Sequence, residues 1–262
     1  MADKFDANDS GRASENLYHE GTALVASGRY IEAIESFKKA LEIVPGDARV
    51  CVGLAAAVDR LGFFDRARSL CEEALKSDPL SPDAWFLRGV ALYRTSSYDL
   101  AVECLDHALH LLPSHTESLF IKGNCLFQAG QKEEALACYD QVIALNSRYP
   151  KAFYNKGVAL AELGRFPEAV LAYEACNDMN PGIATVLTNL GVALAGFEKY
   201  EEALRYFDES IAIDPRDPVC WHNRALVLAK LGMEEESMKS FEKFRMLSGN
   251  IFSPKKRTEP FR

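Results

Sequence analysis

The chain has no G-x-x-x-x-G-K-[ST], no G-x-G-x-x-G after a strand, no H-E-x-x-H and no G-x-S-x-G. No phosphate-cradling loop, zinc-protease helix or nucleophile elbow is therefore written in it, and no enzyme is expected. It also has no C-x-x-C pair. The seven cysteines, Cys51, Cys71, Cys104, Cys125, Cys138, Cys176 and Cys220, are odd in number and share no spacing with the histidines. That is a pattern of reduced thiols, which points to the cytoplasm rather than to a secreted disulfide framework. A basic surplus is missing too: the formal charge is −8 and the pI about 5.3, so the footprint a nucleic-acid binder needs is absent. Residues 1–16 contain no apolar signal-peptide core. Residues 179–197 carry no charge, but Asn180, Pro181, Gly182, Thr185, Thr188 and Asn189 interrupt them, and they are not read as a membrane span. His107, His110 and His115 lack a cysteine or carboxylate set at metal spacing. They read as a solvated helix end, and neither a metal nor a cofactor is expected.

What the chain does have is self-similarity. Units starting at Ser14, Ala48, Pro82, Thr116, Pro150, Ala184 and Pro218 follow one another without insertion or deletion, at the spacing of a helix-turn-helix repeat. The eighth residue of each is small: Gly21, Ala55, Gly89, Gly123, Gly157, Gly191, Ala225. The fourth is Leu17, Cys51, Trp85, Leu119, Phe153, Leu187 or Trp221, and the eleventh Leu24, Val58, Leu92, Leu126, Leu160, Leu194 or Leu228. Spacings of three and four superpose on a helix, so a small residue lies between large ones on one face and lets a second helix approach. That second helix begins near Tyr30, Phe64, Tyr98, Phe166 and Tyr200, after a glycine such as Gly28 or Gly164, and carries alanine at the twentieth place from Ala33 to Ala203. Pro45, Pro79, Pro113, Pro181 and Pro215 end it.

These places resemble the tetratricopeptide repeat family over residues 14–251. The departures are Ser96 and Glu198 at the usual turn glycine, Lys132 and Glu234 at the usual turn aromatic, and a weakened last unit with Ser237 in place of alanine. The resemblance implies an all-α, right-handed α-solenoid of seven repeats (14–47, 48–81, 82–115, 116–149, 150–183, 184–217, 218–251). Each contributes an A and a B helix, and the A helices line a concave groove. Residues 1–13 are expected to be a disordered leader and 252–262 a tail, which carries Lys255, Lys256 and Arg257.

The A-helix places turned away from the partner helix are the second, fifth, sixth, ninth, twelfth and thirteenth. A soluble helix is normally charged there, yet the third and fourth units carry Phe86, Tyr93, Phe120, Asn124 and Phe127, and the fifth carries Tyr154. Some of these residues pack unit on unit. The others are candidates for lining a groove that takes an extended segment of a partner protein. The sixth place repeats as Asn155, Asn189 and Asn223, and a carboxamide can meet both the N–H and the C=O of a peptide unit. This is similar to the asparagine ladder that grips peptide backbone in the tetratricopeptide superhelix of the O-linked N-acetylglucosamine transferases; asparagine is also frequent at this place in the family at large. The two-carboxylate clamp with which other members hold chaperone tails is not matched, because Phe120, Thr185 and Asn189 stand where its cations belong.

A rival reading is structural. No polar capping helix is evident after the last unit, so Met238, Phe241, Phe244 and Leu247 would be under-covered and available for homo-oligomer formation.

Overall fold

The computed structural model describes residues 2–249, which hold fourteen helices and no strand. The chain divides into two compact units, Met1–Leu145 and Asn146–Arg262. The first contains α1 (Ala2–Ala26), α2 (Tyr30–Ile43), α3 (Ala48–Arg60), α4 (Phe64–Ser77), α5 (Pro82–Arg94), α6 (Tyr98–Leu111), α7 (Thr116–Gln128) and α8 (Lys132–Leu145). The second contains α9 (Pro150–Glu162), α10 (Phe166–Met179), α11 (Ala184–Gly196), α12 (Tyr200–Ile213), α13 (Pro218–Lys230) and α14 (Glu234–Ser248). Odd-numbered helices are the A helices of the repeats and even-numbered ones the B helices.

Local chemistry sets the helix ends. Pro82, Pro150 and Pro218 occupy the first turn of α5, α9 and α13, where a missing N–H costs nothing. The Asp47 carboxylate accepts from the N–H groups of Arg49 and Val50, and the Ser81 hydroxyl from that of Ala84. Between the helices of each repeat the chain passes through a left-handed residue. It is glycine in five repeats, but Ser96 (φ 59°) and Glu198 (φ 61°) hold the same conformation in the other two. The packing of the flanking helices imposes the turn, and a side chain there is strained by about 1–2 kcal/mol.

The first helix departs from expectation. α1 starts at Ala2, ahead of Ser14, so the leader expected to be irregular continues the helix. Residues 14–26 are fixed against α2, and once a helix is nucleated, adding turns costs little; no proline stands in 2–13 to stop it.

The small eighth place is a socket for a large residue of the partner helix. A methyl group added to Gly157 would lie 2.6 Å from the Tyr173 ring, and one on Gly191 2.7 Å from Phe207. Both rings are buried as a result. Where the socket is narrowed by Ala55, the partner place holds the smaller Cys71, again fully buried. In the last repeat Ala225 is matched with Phe241, which is half-exposed. The alanines of the twentieth place are buried throughout, and Ser237, which replaces the last of them, gives its hydroxyl proton to the Ala225 carbonyl at 2.8 Å.

Within each unit every helix packs on the next, and each A helix also touches the following A helix; no B helix touches the next B helix among the described residues. Each unit therefore closes along its A side and opens along its B side.

Candidate functional site

All nine candidate groove residues are half-buried on the A helices. Their neighbours divide them into two groups. The fifth-place rings lean back onto the partner helix of their own repeat: Phe120 lies 6.2 Å from Tyr139 and Tyr154 6.0 Å from Tyr173, ring centre to centre. Tyr18 on Phe37 and His222 on Phe241 repeat the arrangement at 6.2 and 5.8 Å. In the third repeat, where the partner place holds Leu105, Phe86 instead meets the edge of His115 at 4.9 Å. The fifth place thus seals the seam between A and B helices, an orientation that an ideal wheel, built from one helix at a time, misses. Tyr93 lies 6.0 Å from Tyr98 and is likewise half-buried, as is Phe127 near the C-terminal end of α7.

The amides behave differently. Asn189 on α11 donates through Nδ2 to the Tyr154 hydroxyl on α9 at 3.1 Å, which joins the sixth place of one repeat to the fifth of the repeat before. Asn223 donates through Nδ2 to the Val219 carbonyl one turn earlier at 2.9 Å. In both, no described residue donates to Oδ1. Asn124 is committed elsewhere: its Oδ1 accepts from the Tyr139 hydroxyl at 3.0 Å. Asn155 sits half-buried at the corresponding sixth place of α9.

Charge separates the two units. In the first, Arg49 bridges to Glu15 of the preceding repeat at 2.8 Å and lies over the Tyr18 ring. Asp59, at the twelfth place of its repeat, has a buried carboxylate oxygen with no partner. Its pKa is raised by desolvation, against the pull of Arg94 and Arg60. On the A-helix face of the second unit the only charges are Lys151, Glu162 and Lys230, all at helix ends, and α11 has none along its length.

Several elements escaped the sequence reading. The seventh place of an A helix pairs with the twenty-fifth of the repeat before: Arg88 with Glu72 at 3.5 Å, Lys122 with Asp106 at 2.5 Å and Arg224 with Asp208 at 2.6 Å. A charge tally at these repeat offsets finds them. Trp85 and Trp221 each donate Nε1 to the carbonyl of a loop proline, Pro79 and Pro215, at 3.0 Å. Trp85 also stacks on His107 at 4.4 Å, beside a cavity of about 400 Å³ edged by Arg68, Arg88 and Leu100 on α4, α5 and α6. His115 shares a hydrogen bond with Ser118 at 2.6 Å, and no three potential metal ligands converge among the described residues. All seven cysteines are free and buried. Desolvation pushes the Cys51 thiol to about 11 and those of Cys71 and Cys125 to about 12, so all three stay protonated at neutral pH.

At the C-terminal end, Phe241, Phe244 and Leu247 are half-buried, and Met238 and Met246 are 66% and 75% exposed. Residues 250–262, including the tail expected at 252–262, lie outside the described residues. No described helix is long and apolar enough to cross a membrane.

Paired helices, sockets filled from the partner helix and seams between successive A helices define an α-solenoid of helix-turn-helix repeats. Family models described as tetratricopeptide repeat match residues 24–91, 150–183, 184–217 and 219–244, and one described as TPR repeat matches 123–164. The chain belongs to the tetratricopeptide repeat family. A model for subunit 3 of the anaphase-promoting complex also matches residues 60–142. No curated protein matches the chain. Among solved structures it is similar to YrrB, described as a TPR protein with an unusual peptide-binding site, at 26% identity and TM-score 0.64, over 72% of this chain and 97% of YrrB. PilF of Pseudomonas aeruginosa has 20% identity and TM-score 0.70, over 79% and 94%. One structure of MamA has 24% identity and TM-score 0.60, over 65% and 93%. The last two are likenesses of fold.

Proposed function

We propose that this chain is a non-catalytic cytoplasmic scaffold that holds an extended segment of a partner protein against its A helices, and that Asn155, Asn189 and Asn223 hold the segment's backbone. The observation that carries the reading is the pair Asn189 and Asn223. They stand at one place of successive repeats, and each turns an amide oxygen to which no described residue donates. An unmet acceptor on a half-buried surface whose charges stand at the helix ends favours a donor from outside. The peptide-binding site of YrrB supports the same use of the fold. Tyr154 supplies a side-chain contact on the second unit, and Phe86, Tyr93, Phe120, Asn124 and Phe127 are the candidate contacts of the first unit taken by itself. Nucleic acid and membrane are not among the expected partners. The test is the variant with Asn155, Asn189 and Asn223 all changed to alanine. It is expected to keep its circular dichroism spectrum and stay folded at the assay temperature but lose the partner that wild type recovers from native lysate. Unchanged recovery removes the asparagines from the site.

A second reading rests on the exposure of Met238 and Met246 on α14: two copies meet through this face. Light scattering on wild type and on Met238→Glu with Met246→Glu tests it, and a monomeric wild type at high concentration excludes it.

A further inference from the structure

The face of the second unit constrains what it can accept. Val192, Val219 and Leu226 are 37%, 57% and 46% exposed. They lie on the same helices as Asn189 and Asn223, and Val158 and Ala195 add half-buried aliphatic surface. A charged side chain laid between these aliphatic residues would lose water, and the charges on this face, Lys151, Glu162 and Lys230, stand at the helix ends and not beside it, so its burial is costly. The asparagine oxygens accept and cannot donate, so a bound chain must bring N–H groups to them.

Spacing then selects the conformation. α11 touches both α9 and α13, and helices in contact stand about 8–10 Å apart. A β-strand returns the same side every two residues, about 6.7 Å. A polyproline II chain does so every three residues, about 9.3 Å. Only the latter matches a step of that size, and it presents one N–H and one side chain to α11 and the next such pair to α13.

We infer, resting on the peptide-binding reading above, that the second unit is specific for an uncharged segment in the polyproline II conformation. At every third position the segment carries a small aliphatic side chain and an unsubstituted backbone N–H. Proline is accepted at the other positions and excluded from this one.

Fluorescence anisotropy on the full chain tests the inference with labelled peptides of defined repeat. The reference probe repeats valine–proline–serine. The others put glutamate in place of valine, N-methylvaline in place of valine, or alternate valine with serine at a two-residue period. The reference is expected to bind about tenfold or more tighter than each of the others. Val192→Lys and Leu226→Lys, at exposed positions and with folding confirmed by circular dichroism, are each expected to weaken it about tenfold. Equal or tighter binding of the glutamate, N-methyl or two-residue probe overturns the specificity. If no probe binds while the triple asparagine variant still loses the native partner, the specificity fails and peptide binding stands. If that variant keeps the partner, the peptide-binding reading itself fails.

Discussion

The two compact units are built from one repeat but present different surfaces. Along Met1–Leu145 the A helices carry aromatic rings and charge: Tyr18 under Arg49, Phe86 against His115, Asp59 near Arg94. Along Asn146–Arg262 the places turned away from the B helices carry amides and aliphatics, with charge there at helix ends, while Lys156 and Arg224 sit mid-helix at the seventh place. The places that face the B helix keep their residue types through both units, since sockets and buried alanines are dictated by close packing. The places that face away are free to diverge, so recognition chemistry is written there.

The largest expected contrast between the units is alkaline. Cys51, Cys71, Cys104, Cys125 and Cys138 lie in the first unit and only Cys176 and Cys220 in the second, all with thiols pushed up by burial from an ordinary 9.0. The unfolded chain releases these protons near pH 9 while the folded one retains them up to about 11 to 12 at Cys51, Cys71 and Cys125. Stability is therefore unaffected by them below pH 9 and falls as pH rises through that window. Alkylation mapped by mass spectrometry should show thiols of the first unit opening before Cys176 and Cys220; simultaneous reaction would erase the contrast.

Next in size is overpacking. Gly191→Val forces two extra methyl groups and the Cβ into the space of the Phe207 ring and should cost about 3 kcal/mol in denaturant unfolding. Ala55→Val, opposite the smaller Cys71, should cost less.

A third comparison sets Arg224 against Arg88. Arg224 gives one hydrogen bond to Asp208 and another to Ser240, both at 2.6 Å. Arg88 lies over the Trp85 ring as Arg224 does over Trp221, but its ion pair with Glu72 is 3.5 Å long and its Nε is buried without a partner. Arg224→Met should cost about 1–2 kcal/mol and Arg88→Met close to nothing. Equal melting temperatures of the two variants would show that the interlocks contribute no more than exposed ion pairs do.

The smallest effects concern the strained turns. Ser96→Gly in the first unit and Glu198→Gly in the second should each stabilise by up to about 1 kcal/mol, since glycine adopts positive φ without strain but loses more entropy on folding.

The register of the fold was legible because packing repeats it. The eighth, eleventh and twentieth places mark the A and B helices, and proline and glycine mark the ends. The helical run of α1 ahead of Ser14 was not legible, because residues 2–13 lack the repeat pattern and simply extend a helix begun elsewhere. The site was only partly legible. Asn189 and Asn223 could be located from spacing, but the bond from Asn189 to Tyr154 joins residues of different repeats. The lean of Phe120 and Tyr154 onto Tyr139 and Tyr173 depends on how closely two helices approach, and a one-helix wheel contains no such information. Arg88 and Arg224 look alike in sequence; Cys104 in one repeat and Ser240 in the other separate them, because a thiol is a poor acceptor.

Asn223 binding the Val219 carbonyl has a mechanical consequence. A side chain tied to its own backbone has lost its rotamer freedom before any visitor arrives. The entropy that a loose amide surrenders on capture is already gone, and contact at this rung can form and break quickly without the helix readjusting. Asn189, tied to the neighbouring helix through Tyr154, is held by the stacking of two repeats, so its readiness to bind rises and falls with the integrity of that seam.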